Sequence, residues 1–404
     1  MRDLYATRYR IYPTPEQEAL FLRISGCCRL VYNLGLAQRR DFWRQYRRVE
    51  GKVISWFSQK AEITALKADG AGFLAEAPAH CLQAALKDLD AAFVNFFAGR
   101  AAYPRFRRKG RSDSFRFPDP EQITLRPSAG LIALPKFGKR KGDGGAIRAV
   151  FHRPVRGRVR SVTIVREGAF WFASVLFSAR VPAEERAARE AAAAAPLTAD
   201  DVEAVDRNVV CPFVTSSGLM LGEPAETPAR RGKRSRLQRQ VSRTERGSKR
   251  RGRALERLRR HDAKTARKRR DTREKVSCVL AKTHRVIVRE DLPVVAMTAS
   301  ARGTAAEPGR NVAQKAGLNR SVLDKSWGGT MTRTGQKLAK RGGRVISVPA
   351  AFSSQTCPAC LRVDAASRVT RDRFVCSGCG HGEHADVAAA KEIRRRGLVS
   401  LRLA

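Results

Sequence analysis

Cys357 and Cys360, then Cys376 and Cys379, stand as two C-x-x-C pairs separated by fifteen residues. Two thiols at that spacing turn toward one centre on a tight knuckle, and two knuckles make the tetrahedral four-sulfur set that Zn²⁺ takes. "RDRF" between the pairs reads as the return strand. Four thiolates close the coordination shell and leave no position for water, so this zinc is expected to be structural and not catalytic. His381 and His384 then fit as outer partners of the sulfurs or as nucleic-acid contacts. Cys27, Cys28, Cys81, Cys211 and Cys278 are scattered or apolar in surroundings and read as buried thiols, and both groups suit a reducing compartment.

A ribbon of this kind occupies little of a 404-residue chain, which is long enough for two to four domains. Its charge names a class of partner. There are 80 Lys and Arg against 38 Asp and Glu, a net +42, far beyond what solubility needs, so a polyanion is expected. A membrane surface would compete for that role. No stretch approaches about 18 uninterrupted apolar residues, and the opening "MRDLYATRYRIYPTPEQEALF" has no signal-peptide core. The expectation is a soluble, intracellular protein with no membrane partner.

Periodicity divides the rest. "ATRYRIY" is strand-like, and Thr14, Pro15 and Gln17 then form a capping box that starts a helix. To about Ala98 apolar residues recur three or four apart, as in Leu82, Leu86, Leu89, Phe93 and Phe96, with basic clusters such as "QRRDFWRQYRR" between them. After "YPRFRRKGRSDSFRFP" the period becomes two: "QITLRP", "GLIALPKF", "AIRAVFHRP", "RVRSVTIVREG" and "FWFASVLFSAR" predict a small antiparallel barrel that the first strand completes. The Ala- and Glu-rich 186–200 reads as a linker, with a short helix as the alternative. From Val202 strands resume and lead into a run of Lys and Arg over 228–275. Leu237, Val241, Leu255 and Leu258 give it a thin apolar seam, so a basic helical hairpin bending near Gly247 or Gly252 is expected, and a solvated tail is the other reading.

Three acids stand at strand or knuckle ends in a chain otherwise short of acid: Asp206 after "VEAV", Glu290 after "RVIVR", and Asp386 before "VAAAKEI". A phosphodiester-cleaving site needs carboxylates converging from separate elements on two Mg²⁺ ions about 4 Å apart. Each acid alone also fits a turn or cap, and Glu290 with Asp291 fits a solvent-facing strand end.

These pieces resemble, in order and along nearly the whole chain, the TnpB family of insertion-sequence proteins, relatives of the miniature type V CRISPR effectors. The resemblance rests on "RYRIYPTPEQE", "CRLVYNLGL", "YPRFRRKGRSDSFRFP", "AVDRNVV", "SKRRGRALERLRR", "VIVREDLPV", "NRSVLDKSWGG", "FSSQTCPAC" and "CSGCGHGEHADVAAAKEI". It implies an α/β multidomain protein: a wedge-type β-barrel at 1–13 and 108–185, a helical recognition lobe at 14–107, and the linker 186–200. A RuvC-like nuclease of RNase H-like fold follows at 201–353 and 381–404, carrying the hairpin 228–275 and interrupted by a zinc ribbon at 354–380. It further implies an RNA-guided DNA endonuclease of a prokaryotic cytoplasm, with Asp206, Glu290 and Asp386 binding Mg²⁺, a structured guide RNA, a guide-matched DNA target and a short flanking motif. Arg105, Arg107, Arg108, Lys249, Arg250, Arg251 and Arg253 are the expected nucleic-acid contacts. Trp43, Tyr46, Phe96 and Phe97 read first as core, with base stacking as their alternative.

The chain departs from the family pattern in three places. Asn208 stands where glycine is common, Ala388 where an asparagine follows the third acid, and Leu361 where a glycine follows the first cysteine pair. Losing an amide at 388 puts the cleavage rate in doubt. An RNA-guided DNA-binding protein with weak or no cleavage is therefore the alternative reading, and a guide-independent transposase or DNA-binding factor a third. Oligomeric state and the flanking motif are not legible.

Overall fold

The computed structural model describes residues 2–46, 54–110, 113–140 and 145–403. Arg47 and Arg48 of the basic cluster, and Arg111 and Ser112 ahead of the strands, lie outside these. The chain divides into two compact units, Met1–Val181 and Pro182–Ala404.

In the first unit, strand β1 (Arg2–Tyr12) leads into helix α1 (Pro15–Tyr46), and α2 (Trp56–Ala68) and α3 (Ala79–Phe97) follow. Thr14 and Gln17 close the predicted capping box: Thr14 N–H donates to Gln17 Oε1 at 3.1 Å, and Gln17 N–H to Thr14 Oγ1 at 3.3 Å. Strands β2 (Ser114–Phe117), β3 (Thr124–Arg126), β4 (Leu131–Ala133), β5 (Ile147–Val150), β6 (Arg158–Glu167) and β7 (Phe170–Arg180) join β1 in one sheet. Its order is β2-β6-β7-β1-β5-β4-β3 and every pairing is antiparallel, so β1 is central. The end strands β2 and β3 do not pair with each other among the described residues, so the hydrogen bonding is that of an open sheet where a barrel was expected. Helix packing covers the face that closure would enclose: Phe21 of α1 meets Phe115, Phe137 and Trp171 with ring centroids 5.0 to 5.6 Å apart. Helices and sheet thus share one core, running from Tyr9 and Ile11 through Leu36, Leu82 and Leu89 to Val175 and Phe177. At Gly35 a Cβ would lie 3.0 Å from Leu86, a spacing that lets α1 and α3 pack closely. Helix α1 is long and apolar enough to cross a membrane, but half of its most apolar window is buried in this core.

The second unit begins with α4 (Ala183–Ala194), which covers much of the segment expected as a linker. Alanine is the best helix former, and Arg285 binds the helix end by donating to the carbonyls of Ala192, Ala195 and Pro196. The segment is therefore tied to the second unit. Strands β8 (Val202–Asp206), β9 (Phe213–Thr215) and β10 (Met220–Leu221) precede α5 (Pro228–Ser242) and α6 (Lys249–Thr283). Then come β11 (Val286–Glu290), α7 (Val294–Met297), α8 (Val312–Asp324), α9 (Trp327–Ala339) and β12 (Arg344–Val348). A hairpin of β13 (Arg373–Val375) and β14 (Gly382–His384) delivers the chain to α10 (Ala385–Leu401). The main sheet has the order β10-β9-β8-β11-β12, with β8, β11 and β12 parallel and β9 and β10 antiparallel to their neighbours. The basic hairpin exists and is longer than expected, running through Thr283. Its bend holds Gly247 at φ +91°, while Gly252 lies inside α6.

Candidate active site and metal centre

Strands β8 and β11 are adjacent and parallel, with Val205 opposite Arg289 as the last registered pair. The next residues, Asp206 and Glu290, therefore emerge side by side at the carboxyl edge of the sheet, where open α/β sheets place their sites. Helix α10 lies against these strands so closely that a Cβ on Gly397 would come 2.4 Å from a Val288 methyl. Arg394 fixes the helix further by donating to the carbonyls of Val202 at 2.9 Å and Ala199 at 2.7 Å. The first turn of α10 brings Asp386 to the same edge, with His384 as its N-cap accepting the Asp386 N–H at 3.3 Å. Glu290 and Asp386 are buried. Burial and the like charges of Glu290 and Asp386 push the Asp206 carboxyl up to about 7. The structure thus brings the three predicted acids together as one electrostatically coupled group.

Their partners are the part that sequence reading missed. Asp386 Oδ1 accepts from Arg368 at 3.2 Å and Oδ2 from Asn208 at 2.6 Å. Arg368 belongs to the cysteine ribbon, and its charge also opposes the rise in Asp206. Ser353 donates to Glu290 Oε1, and the buried Arg207 donates to the Glu290 carbonyl. The loop that carries Ser353 is held by Arg396, which donates to the carbonyls of Pro349 and Ala351, each at 2.8 Å, and pairs with the fully buried Glu392. Nothing in "RVTRDRF" distinguishes Arg368 from its neighbouring arginines, whereas Ser353 lies in the noted "FSSQTC". Carboxylate oxygens are the hard donors that Mg²⁺ takes; among the described residues the set whose donor atoms all lie within 4.8 Å of one another is the four cysteines, not the three acids.

The four cysteines gather as expected, with all sulfurs within 4.8 Å of one another. Cys357 and Cys379 sulfurs are 3.7 Å apart and Cys360 and Cys376 sulfurs 3.5 Å. Those are far longer than a disulfide and close to the edge, about 3.8 Å, of a tetrahedron with Zn–S bonds of about 2.3 Å. The N–H groups of Gly378 and Cys379 point at Cys376 Sγ, at 3.3 and 3.5 Å, and favour its thiolate. The donor set fits zinc. Leu361 and Gly380 hold the same place in the two knuckles, with left-handed φ of +63° and +72°. Each N–H donates back to the first cysteine carbonyl of its pair. His381 bonds Glu383 and His384 caps α10, so neither histidine belongs to the sulfur cluster. Cys27, Cys28 and Cys81 are buried as expected. Cys278 is not: it is exposed on α6, where Lys337 donates to its sulfur at 2.9 Å.

Among the expected nucleic-acid contacts, Arg105, Arg108, Lys249, Arg250 and Arg253 are exposed. Arg107 and Arg251 have work inside the fold. Arg107 lies over the Tyr32 ring, 3.9 Å from its centroid, and pairs with Asp88, while Arg251 donates to the carbonyls of Val241 and Thr244 and closes the hairpin bend. Trp43, Tyr46 and Phe97, read first as core, are exposed. They line a cavity of about 920 Å³ with Phe93, Tyr103 and Arg44. Each sits near the end of its helix.

Comparison with known proteins gives matches to three family models: "Helix-turn-helix domain" over residues 1–48, "Probable transposase" over 201–301, and "Cas12f1-like, TNB domain" over 327–393. Over the first of these the structure has a strand and one long helix. Two relatives carry the name "Putative RNA-guided DNA endonuclease". InsQ of Escherichia coli (strain K12) is 33% identical over 400 residues, covering 98% of this chain and 93% of its own. A Streptomyces pristinaespiralis protein is 29% identical over 398 residues, covering 98% and 90%. Among solved structures, "Cryo-EM structure of the Cas12f1-sgRNA-target DNA complex" matches with a TM-score of 0.51 at 12% identity, covering 94% of this chain and 83% of that one, a likeness of fold. With a relative this similar along almost its entire length, the chain belongs to the TnpB family, the insertion-sequence relatives of the miniature type V CRISPR effectors.

Proposed function

We propose that this chain is an RNA-guided, divalent-metal-dependent DNA endonuclease with a single RuvC-type site. The observation that carries the reading is the convergence of Asp206, Glu290 and Asp386 at one sheet edge, close enough that two of them raise the proton affinity of the third. The names of the full-length relatives supply the guide RNA and the DNA target. A central parallel pair flanked by an antiparallel strand on one side and a parallel strand on the other supports an RNase H-like nuclease at 201–353 and 381–404. The sulfur cluster supports a structural zinc in the ribbon 354–380.

Asp206, Glu290 and Asp386 would hold Mg²⁺. When bound, Mg²⁺ supplies activation of the attacking water and neutralisation of charge at the phosphodiester. The chain's own residues prepare for this. Ser353 and Arg207 fix Glu290 at both its carboxylate and its backbone, and Asn208 and Arg368 fix Asp386. Arg368 also places a cation where phosphate charge accumulates, so the ribbon reaches the reaction through this side chain. The first unit, read as wedge 1–13 and 108–185 with recognition lobe 14–107, would hold guide RNA and read the flanking motif. Exposed Arg105 and Arg108 would meet phosphates there, and Trp43, Tyr46 and Phe97 would offer ring faces to unpaired bases. Lys249, Arg250 and Arg253 would do the same along the hairpin. The net +42 suits a protein that grips two polyanions at once in the cytoplasm.

Asp206→Ala tests the site. Cutting should fall by more than the roughly 10–100-fold that loss of an outer partner costs, with guide RNA bound as in the wild type. Undiminished cutting would remove Asp206 from the chemistry. Target occupancy by the wild type without product, at any Mg²⁺ or Mn²⁺ concentration, would favour binding without cleavage.

A further inference from the structure

We propose that Asn208 is a positioning residue that sets Asp386 for its divalent cation, an inference that rests on the metal-site reading above. Asn208 lies two residues past Asp206, where the chain leaves β8. Its Nδ2 donates to Asp386 Oδ2 at 2.6 Å, and its Oδ1 accepts the Val210 N–H at 3.1 Å. The second bond settles the first, because only the amide oxygen can accept from a backbone N–H, which leaves the NH₂ end facing the carboxylate. One short side chain therefore ties the strand end bearing Asp206 to the helix bearing Asp386.

Two donors hold the two oxygens of Asp386, and they differ in kind. Arg368 brings a positive charge that offsets the carboxylate. Asn208 is neutral: it fixes the plane of the group and leaves its charge for a cation. Among the described residues it is the one side-chain amide donating to Asp386. Position 388, on the helix itself, cannot contribute, because Ala388 is buried with Cys357, Phe374, Cys376 and Ala385 and has no polar atom beyond its backbone. The amide that this helix lacks is thus delivered from across the site, by the loop that follows the first acid. Asn208 is not among the residues with left-handed φ, so its replacement leaves the backbone unstrained.

Outer partners that orient a metal ligand are worth roughly 10–100-fold in metal affinity. The test uses the zinc-loaded full chain. Fe²⁺ replaces the divalent cation and, with ascorbate and peroxide, cuts the polypeptide beside the place it occupies. Cutting near residues 206, 290 and 386 is followed against Fe²⁺ concentration. Asn208→Leu, which keeps the shape and loses the donor, and Asn208→Ala should each need about 10–100 times more Fe²⁺, and the Mg²⁺ needed for half-maximal DNA cleavage should rise with it while guide-RNA binding stays unchanged. Should one variant fail to fold, the other carries the measurement. Local cutting by both variants at Fe²⁺ concentrations within twofold of wild type overturns the inference, provided Asp206→Ala abolishes that cutting. Local cutting that survives in Asp206→Ala means instead that the metal-site reading has failed, and the inference fails with it.

Discussion

At Asp206 the competing forces can be weighed. The backbone N–H of Arg207 and the charge of Arg368 favour its ionised form, but burial and two like charges prevail and the pKa rises from 3.8 to about 7. A carboxyl that binds its proton more tightly in the folded chain than in the unfolded one makes folding weaker as pH rises. Below pH 3.8 both states are protonated and the group is neutral to stability. The loss then accumulates through the window from 3.8 to about 7 and is complete above it. Without Mg²⁺, and with zinc retained, Asp206→Asn should therefore be more stable than wild type at pH 8, by up to about 4 kcal/mol, and similar to it near pH 4. Thermal denaturation of both proteins across that range measures this. A variant less stable than wild type at pH 8 would mean that the three acids repel one another little. The acids themselves were legible in the sequence, since each ends a strand or opens a helix in a chain poor in acid. Their partners were not: Asn208, Ser353 and Arg368 reach the site from a loop, a second loop and the ribbon, and only the packing of those segments joins them.

The ribbon shows the same division among elements. The spacing of four cysteines foretold the sulfur cluster because two knuckles leave the thiols few other arrangements. The return strand followed for the same reason. What spacing could not show is that the ribbon packs Cys357, Phe374 and Cys376 on Ala385 and Ala388 of α10, so that the element gathering the four sulfurs also seats the helix bearing Asp386. It also explains the cost of Leu361, a half-exposed side chain on left-handed backbone where the matching knuckle has Gly380. That conformation costs a non-glycine residue about 1–2 kcal/mol, part of which glycine returns as greater freedom in the unfolded chain. Leu361→Gly should stabilise the knuckle by about 1 kcal/mol net and slow zinc loss to a competing chelator by about fivefold. Equal or faster zinc loss would mean that Leu361 makes a contact worth more than its strain. The segment 186–200 was the reverse case: composition suggested a joint, with a short helix as the alternative, and alanine and Arg285 make its first part, through Ala194, a helix of the second unit. The open hydrogen bonding of the first sheet was likewise beyond alternation alone, which specifies strands and faces but not whether the end strands meet.

For the molecule as a whole, charge and acid placement divide the labour. A chain of net +42 gathers three carboxylates at one sheet edge, where the proposed function calls for a cation. In the proposed function, exposed lysines and arginines on α6 and near Arg105 would supply binding, while Arg107 and Arg251 make contacts inside the fold. On that proposal, specificity would come from the RNA, because phosphate contacts carry no sequence information. The measurement that tests this most directly is cleavage directed by RNA. The protein is purified with its copurifying RNA, the RNA is sequenced, and its guide segment is replaced. Plasmids matching the old or the new guide, each with a randomised flank, are then incubated with the complex in Mg²⁺. The account predicts that cutting moves to the plasmid matching the new guide and disappears without RNA. Cutting that ignores the guide, or that persists when the RNA is removed, would contradict it.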